Sequence, residues 1–410
     1  MTIVGTQGEN PTESRDSLKS QISFQTIQDL PSEILHEILS HIVEEPTVNQ
    51  NPLTFFPNEG VKVCHRWKDL ITQSTSFWSQ IVYFVGWTPL KELAFYLEWA
   101  GSKQDLRFFI MRTLPYPTPE ACREKQETCA VLNTLKPFFS RAQSFHIHLR
   151  ASSSLPSIRV LYNIPRELSS IQLTSAFHDR LDLPTEHLQP KVYLRTRSLS
   201  VNGHDFAELR KDMERHVLAP TYNLQELTIT NLHQRVGIDL HDTMRYFSAC
   251  NQLRYLRIVD IAFISPSMGG IHTVHITRLD LTDLTSIVTN AFLTSLAFPP
   301  LLEELRLVRC ELYPQTLLPI FPRLILEGYG ASSAVYLLRP VSHWEGEQLT
   351  LIECPFFVNE ILSKKERSFR DRGTCCLKLK CLSILDCGDV KVEVEKLKLY
   401  SNSPHINIAH

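Results

Sequence analysis

The sequence lacks several features that mark large classes of protein. Lys and Arg number 42 against 44 Asp and Glu, so the near-neutral balance gives no electrostatic footprint for nucleic acid or an anionic membrane. No apolar run approaches the roughly eighteen residues of a membrane-spanning helix, and the polar stretch 1–29 is unlike a signal peptide. We therefore expect protein partners, with neither nucleic acid nor membrane.

Motifs for disulfides, metals and catalysis are also missing. The ten cysteines include no Cys-x-x-Cys pair, and no Asn-x-Ser/Thr acceptor occurs, which favours a reducing cytoplasm or nucleus. His146 and His148 share one face of a predicted strand but have no evident third ligand, so we expect no metal. Without a P-loop, a Gly-x-Ser-x-Gly elbow or a His-Glu-x-x-His motif, the sequence predicts neither an enzyme nor a cofactor.

Three short apolar segments follow one another between Leu30 and Ile81. Pro31 suits the first helical position and Glu33 the first turn, so a helix is predicted from about Leu30. Its aliphatic side chains recur at helical spacing on one side: Ile34, Leu35, Ile38, Leu39 and Ile42. The pattern resumes at Val61 after a loop rich in Pro and Asn. Segments this short bury too little surface to be stable alone, which predicts a docking element.

These residues resemble the F-box family. The family pattern of Leu-Pro-x-Glu-Ile-Leu, then Val-Cys-x-x-Trp, then Leu/Phe-Trp is met at 30–35, 63–67 and 77–78. The resemblance implies a helical motif that binds a Skp-family adaptor and, through it, a cullin ubiquitin ligase. It implies adaptor-binding or motif-packing roles for Leu30, Pro31, Ile34, Leu35, Ile38, Val63, Cys64, Trp67 and Trp78. We expect both indoles to stay exposed until a partner covers them; an ordinary helical cap on the following domain is the alternative.

Beyond Ile81 a fragment of the form apolar-x-x-Leu-x-Leu returns. Four clear copies begin at Leu224, Leu253, Ile276 and Leu302. Looser copies centre on Phe145, Ile171, Leu199, Leu324, Leu349 and Leu382. Most intervals between centres fit the roughly 20–29 residues of a leucine-rich repeat, and the 19-residue interval before Leu324 is the least regular.

The chain from 145 to 388 resembles a degenerate leucine-rich-repeat domain, which implies stacked units and a curved parallel sheet. Alternation along a strand directs the leucines inward. Cys310, Cys354 and Cys387 fall at the ninth position of their units, where the repeat pattern calls for Asn or Cys, and are predicted to be interior thiols. Gly328–Ser333 lacks the rest of a dinucleotide fingerprint and is predicted to be a loop.

Residues that flank the inward leucines are expected to form columns on the opposite sheet face. Two columns contain the candidate substrate-binding residues, which are Thr228, Arg257, Asp280 and Arg306 in one and Glu226, Tyr255, Arg278 and Glu304 in the other. Arg and Tyr are frequent interface anchors, so these columns suit a polar or charged protein segment. The alternative is a solvated face whose charges pair with each other.

Together these patterns predict an α/β fold in which a three-helix F-box precedes an irregular leucine-rich-repeat solenoid. The predicted boundaries are a disordered polar tail at 1–26, the F-box at 27–85, an irregular first repeat or linker at 86–141, the solenoid at 142–400 and a tail at 401–410. The predicted function is substrate recognition for a Skp–cullin–F-box ubiquitin ligase. A scaffold bound to the adaptor alone, or an enzyme without a recognisable motif, are the alternatives.

Overall fold

A large, open, all-parallel sheet organises the molecule, which is an α/β protein. The computed structural model describes residues 30–43, 46–47, 55–102, 105–112, 121–161, 164–179, 194–215, 223–232, 238–263, 272–297, 302–355, 379–387 and 405–409. Thirteen strands lie side by side in the order of the chain. Each connection therefore leaves the sheet, crosses one side of it and returns next to the strand just formed, as parallel pairing requires.

The strands are short and regularly spaced along the chain. They are β1 (Gln80–Phe84), β2 (Leu106–Met111), β3 (Ala142–Ala151), β4 (Leu168–Phe177), β5 (Thr196–Asn202), β6 (Glu226–Leu232), β7 (Tyr255–Ile261), β8 (His272–Thr273), β9 (Arg278–Thr282), β10 (Leu296–Ala297), β11 (Glu304–Val308), β12 (Arg323–Glu327), β13 (Gln348–Ile352), β14 (Cys381–Leu385) and β15 (His405–Ala409). Strands β8 and β10 pair with each other, apart from the large sheet.

Helices occupy most of the described connections between strands, and two further helices precede β1. They are α1 (Ser32–Ser40), α2 (His65–Gln73), α3 (Leu90–Trp99), α4 (Ala121–Leu135), α5 (Gly203–Arg215), α6 (Leu240–Ala249), α7 (Ser286–Ser295) and α8 (Ala331–Ser342). The 14-residue connection 309–322, between β11 and β12, is fully described and contains no helix. It follows from the shortest interval in the repeat pattern, 19 residues, which leaves too little chain for a helix.

The predicted repeat centres lie in one row across the sheet. In order they are Phe145, Ile171, Leu199, Leu227, Leu256, Leu279, Leu305, Leu324, Leu349 and Leu382, each the register partner of the next. Ile81 and Phe108 extend the row at one end. All of these side chains are buried, so the spacing correctly predicted the strand centres, including the irregular one at Leu324.

The residues of a second row share a backbone conformation rather than a type of side chain. The residue four positions after the centre has a positive φ, between 48° and 74°, in seven consecutive units: Asn231, Asp260, Asp283, Arg309, Gly328, Glu353 and Asp386. Gly adopts this left-handed region freely, and Asn and Asp are enriched there among the other residues. In β9 and β11 to β14 this residue directly follows the strand, whereas in β6 and β7 it is the last residue but one of the strand.

Interior thiols were predicted correctly. Cys310, Cys354 and Cys387 are all buried, and Cys354 Sγ lies 3.0 Å from the Ile352 carbonyl oxygen. Burial raises the pKa of Cys310 to about 12 and that of Cys354 to about 11. These thiols therefore pack as small apolar groups with weak hydrogen bonds.

Other local predictions need correction. The helix expected from Leu30 is α1, which starts two residues later with Pro31 at its N-cap and ends before Ile42. Cys64 is the N-cap of α2, and the third segment is a 3-10 turn, Thr75–Trp78, that runs into β1. The Gly328–Ser333 segment is only partly a loop, because α8 begins at Ala331.

The sheet starts within the block that was predicted to end at residue 85. Strand β1 belongs to it, and residues 86–141 supply α3, β2 and α4. In this stretch α3 begins at Leu90 and β2 at Leu106. Because β2 pairs in register with both β1 and β3, this stretch is part of the sheet rather than a linker. Among the helices that the structure describes, none has the length and apolar character needed to cross a bilayer.

Candidate functional site

The N-terminal block joins the sheet through a cluster of aromatic side chains. Trp78 is 1% exposed, stacks on Tyr96 at 5.2 Å between ring centroids and lies 4.8 Å from the Trp99 ring. Its Nε1 donates to the Ile71 carbonyl oxygen at 2.8 Å. The expectation that Trp78 stays exposed for a partner is therefore wrong, because α3 supplies the aromatic surface that covers it.

The remaining predicted residues of this block divide into inner and outer positions. Leu35 is fully buried, and Trp67 is partly buried against the same core. Leu30 and Cys64 are half-buried, and Cys64 Sγ accepts a hydrogen bond from the Trp67 backbone N–H at 3.5 Å. Pro31 is exposed. The buried and half-buried residues hold the block together and leave few side chains for a partner to contact.

The outer positions form an aliphatic surface. Ile34 is 49% exposed, Ile38 36% and Val63 60%. Ile42, which lies just past the end of α1, is 43% exposed. Residues at i and i+4 lie on the same side of a helix, so Ile34 and Ile38 form a row beside the buried row of Leu35 and Leu39. Helix α1 thus has two adjacent apolar rows, and the protein's own core covers only one.

Polar contacts fix how the two helices of the block meet. Arg66 of α2 donates to the Leu30 carbonyl oxygen, which brings the starts of α1 and α2 together. The His36 ring nitrogen lies 3.0 Å from Ser74 Oγ at the other end of α2, and the His36 ring packs against Phe77. The row of Ile34 and Ile38 therefore lies on a helix that is held to α2 just before its first residue and at its middle. We call the exposed residues Pro31, Ile34, Ile38, Ile42 and Val63 the aliphatic surface.

The two predicted columns on the open sheet face are present in register. Thr228, Arg257, Asp280 and Arg306 lie side by side, as do Glu226, Tyr255, Arg278 and Glu304. The structure therefore brings together all eight predicted residues. Exposure differs widely within the columns, since Asp280 is 3% exposed whereas Glu226, Arg257 and Arg278 are open to solvent.

Most charges in these columns pair with each other. Arg278 Nε lies 2.9 Å from Glu304 Oε1 and 3.4 Å from Asp280 Oδ1, and its guanidinium stands 5.1 Å above the Tyr255 ring. Tyr255 donates to Asp280 Oδ2 at 2.8 Å. Burial, followed by this bond, raises the pKa of Tyr255 to about 12. This part of the sheet face matches the alternative of internally paired charges.

The pairing extends beyond the residues that sequence reasoning selected. Arg306 Nε donates to Glu327 Oε2 at 3.1 Å, and this bond raises the pKa of Arg306. Arg323 lies 3.5 Å from Glu304 Oε2 and 3.6 Å from Glu303 Oε2. Arg323 directly precedes the centre Leu324, so the column rule extended by one unit would have selected it, whereas Glu327 lies three positions after that centre and outside both columns.

Two charged members of the columns remain outside this network. In the described part of the chain, Arg257 and Glu226 form no ion pair, and both are exposed. The neighbouring Thr228 is half-buried. Of the eight predicted residues, these three offer unsatisfied polar groups to a partner.

The His146 and His148 pair has local polar partners. A His146 ring nitrogen lies 3.0 Å from Ser144 Oγ and 3.2 Å from Ser170 Oγ, and the ring stacks on Phe109 at 4.6 Å. His148 Nδ1 lies 2.8 Å from Thr174 Oγ1, and burial lowers the pKa of His148. Within the described ranges, no three His, Cys, Asp or Glu side chains are grouped so as to hold a metal.

No model of a protein family matches the chain, and no curated protein matches it. The residues and the geometry described above are therefore the basis for a functional proposal.

Proposed function

We propose that this protein is a non-catalytic adaptor that docks through its aliphatic surface and holds a second protein through the sheet domain. The docking partner is a Skp-family adaptor, and the chain is a substrate-recognition subunit of a Skp–cullin–F-box ubiquitin ligase. The observation that carries the proposal is the second apolar row of α1, which the protein's own core leaves uncovered.

Burial of the aliphatic surface supplies the driving force for docking. Complete burial of an Ile or Val side chain contributes about 1.5–3 kcal/mol, and these side chains are already about half buried. Three or four of them contribute a few kcal/mol, which suits the apolar centre of a specific interface. The same positions carry the F-box resemblance, since Pro31, Ile34 and Val63 fall within its motifs.

The attachment of the N-terminal block to the sheet supports the proposal that the sheet domain holds a second protein. Trp78 packs on α3, and β1 follows it directly, so the docking helices and the strands share one core. A protein held on the sheet domain is thereby kept near whatever binds the aliphatic surface. Such proximity raises effective concentration without any bond chemistry by the holder.

The test is a change of charge on the aliphatic surface. Ile34→Asp should weaken binding of a purified Skp-family adaptor at least about 30-fold in isothermal titration calorimetry, because a buried carboxylate without a partner is costly. Ile287→Asp is the matched control, since Ile287 is 50% exposed on α7. It should bind the adaptor as the unmodified chain does.

Equal affinity of the Ile34→Asp and Ile287→Asp variants would contradict docking through this surface. A pull-down with the adaptor and a cullin then separates the two roles. Joint recovery of both partners supports the ligase, whereas recovery of the adaptor without cullin favours the scaffold.

A further inference from the structure

A cleft opens on the helix side of the sheet, where the layer of helices is interrupted. Helix α7 precedes β11 and α8 follows β12, but the connection 309–322 between these strands has no helix. The space between α7 and α8 is filled only in part, and a cleft of about 370 Å³ remains. It lies away from the aliphatic surface and on the opposite side of the sheet from the charged columns.

The walls of the cleft are held in place by hydrogen bonds from both sides. Thr316 Oγ1 donates to Asn290 Oδ1 of α7 at 3.0 Å, and the Cys310 N–H donates to the Tyr329 hydroxyl, just before α8, at 3.0 Å. Leu312, which lines the floor, is 3% exposed. The irregular connection is therefore anchored on both sides of the cleft.

The lining combines aromatic surface with one acidic group. Tyr313, Pro314 and Tyr336 supply carbon surface, and Tyr336 is 55% exposed. Of the described residues that line the cleft, Glu311 is the one with a charged side chain. Its Oε2 accepts from the Ser286 N–H at 3.3 Å, and in the described ranges it forms no ion pair with a Lys or Arg.

This combination is suited to a cation with an aliphatic stem. Aromatic faces attract ammonium and guanidinium groups, and a carboxylate beside them adds direct charge complementarity. The partial positive charge at the start of α7 is already met by Glu311, and among the described residues the lining carries no cationic side chain that would favour an anion. Leu317 and Ile320 of the same connection are 73% and 79% exposed. They are apolar side chains that the described part of the protein leaves open to a partner.

We propose that this cleft binds a Lys or Arg side chain of a linear peptide whose neighbouring residues are apolar. Glu311 pairs with the cation, Tyr313 and Tyr336 contact its stem, and Leu317 and Ile320 contact the flanking residues. Calling the peptide a substrate rests on the proposed function, whereas the binding itself does not. The site differs from the charged columns, where most acidic groups already have cationic partners.

The test uses the full purified chain, without the adaptor, and fluorescein-labelled Ala-Leu-Lys-Leu-Ala amide in fluorescence polarisation. Replacing the peptide Lys by norleucine removes the charge and keeps the stem, and should weaken binding about tenfold. Glu311→Gln should cause a similar loss for the Lys peptide and none for the norleucine peptide. Tyr336→Ala should weaken both.

Glu98→Gln is the matched control, because it removes an exposed acidic charge from α3 instead. It should leave binding of the Lys peptide unchanged. Equal binding of the Lys and norleucine peptides, tighter binding of a Glu peptide, or loss on Glu98→Gln rather than Glu311→Gln would each overturn the proposal. Calorimetry with the Skp-family adaptor separates the two proposals, since Glu311→Gln should leave adaptor affinity unchanged whether or not the peptide binds.

Discussion

The first two strands and the middle strands use the same sheet positions in opposite ways. The row that contains Arg257 and Asp280 also contains Val82 of β1 and Phe109 of β2. At the β1–β2 end, this face forms a second small core of Phe55, Val82, Phe84, Phe109 and Met111. In the middle, the same face carries paired charges. The polarity of a position thus follows from what covers it, and Phe55 of the N-terminal block covers only the first strands.

The two regions are also stabilised differently. Aromatic packing on both sides of β1 excludes water, and buried apolar area stabilises such packing in proportion to its extent. In the middle strands, only the side of the sheet that carries the leucines is shielded from water. Ion pairs on the other side stabilise the fold more strongly the more they are buried. The loss of stability caused by a substitution should therefore differ between the two regions, and it should depend on how exposed the substituted side chain is.

The largest effect is expected at Trp78. Trp78→Ala removes an indole that is 1% exposed and its hydrogen bond to Ile71, and should lower the free energy of unfolding by about 3–5 kcal/mol. Urea denaturation followed by circular dichroism measures this. Trp87→Ala is the control, because Trp87 is 41% exposed, and should cost under about 1 kcal/mol. Similar losses in the two variants would show that the aromatic cluster does not join the block to the sheet.

An intermediate effect is expected at Asp280, which is 3% exposed and bonded to Tyr255 and Arg278. Asp280→Ala should cost about 2 kcal/mol in the same measurement, because it removes a buried acceptor that bonds to the half-buried Tyr255 hydroxyl and to Arg278. It should also lower the pKa of Tyr255 from about 12, since the carboxylate that favours the neutral phenol is gone. The pKa is followed by the tyrosinate absorbance difference between the variant and the parent.

Asp283→Asn is the control for this prediction, because Asn removes the charge and still suits the left-handed backbone at this position. Asp283 pairs with Arg309 through two 2.7 Å bonds, but both side chains are largely exposed. Loss of this pair should cost under about 1 kcal/mol, because solvent screens it. If the exposed pair proved worth more than the buried one, burial would not be what sets the strength of these pairs.

The smallest effect is expected at Arg257, the exposed cation outside the network. Arg257→Ala should change the free energy of unfolding by less than about 0.5 kcal/mol, since no ion pair of the described residues is lost. Thermal denaturation monitored by differential scanning calorimetry is the measurement. A loss comparable to that of Asp280→Ala would mean that the whole column, and not only its paired members, stabilises the middle strands.

Spacing in the sequence predicted the strands well and the block less well. Every predicted repeat centre from Phe145 to Leu382 is a buried strand position in one register, because alternation and regular return are local properties of the chain. The burial of Trp78 could not be predicted in this way. Its covering residues, Tyr96 and Trp99, lie about twenty positions further along, on a helix whose orientation no local pattern gives.

The candidate sites likewise have features that the local sequence predicts and features that depend on packing. The columns were found from the repeat, but the pairing of Arg278 with Glu304 depends on rotamers and on the distance between strands. The cleft beside Glu311 was not predicted from the sequence, where the 19-residue interval before Leu324 indicated only the least regular step of the repeat. The cavity depends on the placement of α7 and α8 on either side of the helix-free connection.

The sequence by itself determined which residues form strand centres, which cysteines are interior and which rows of α1 are apolar, because these follow from periodicity within short stretches of chain. Tertiary structure decided which apolar row α1 buries, which charges are neutralised and where a cavity opens. Those outcomes depend on which distant side chains arrive to cover a surface, and burial by distant residues is a property of the packed molecule.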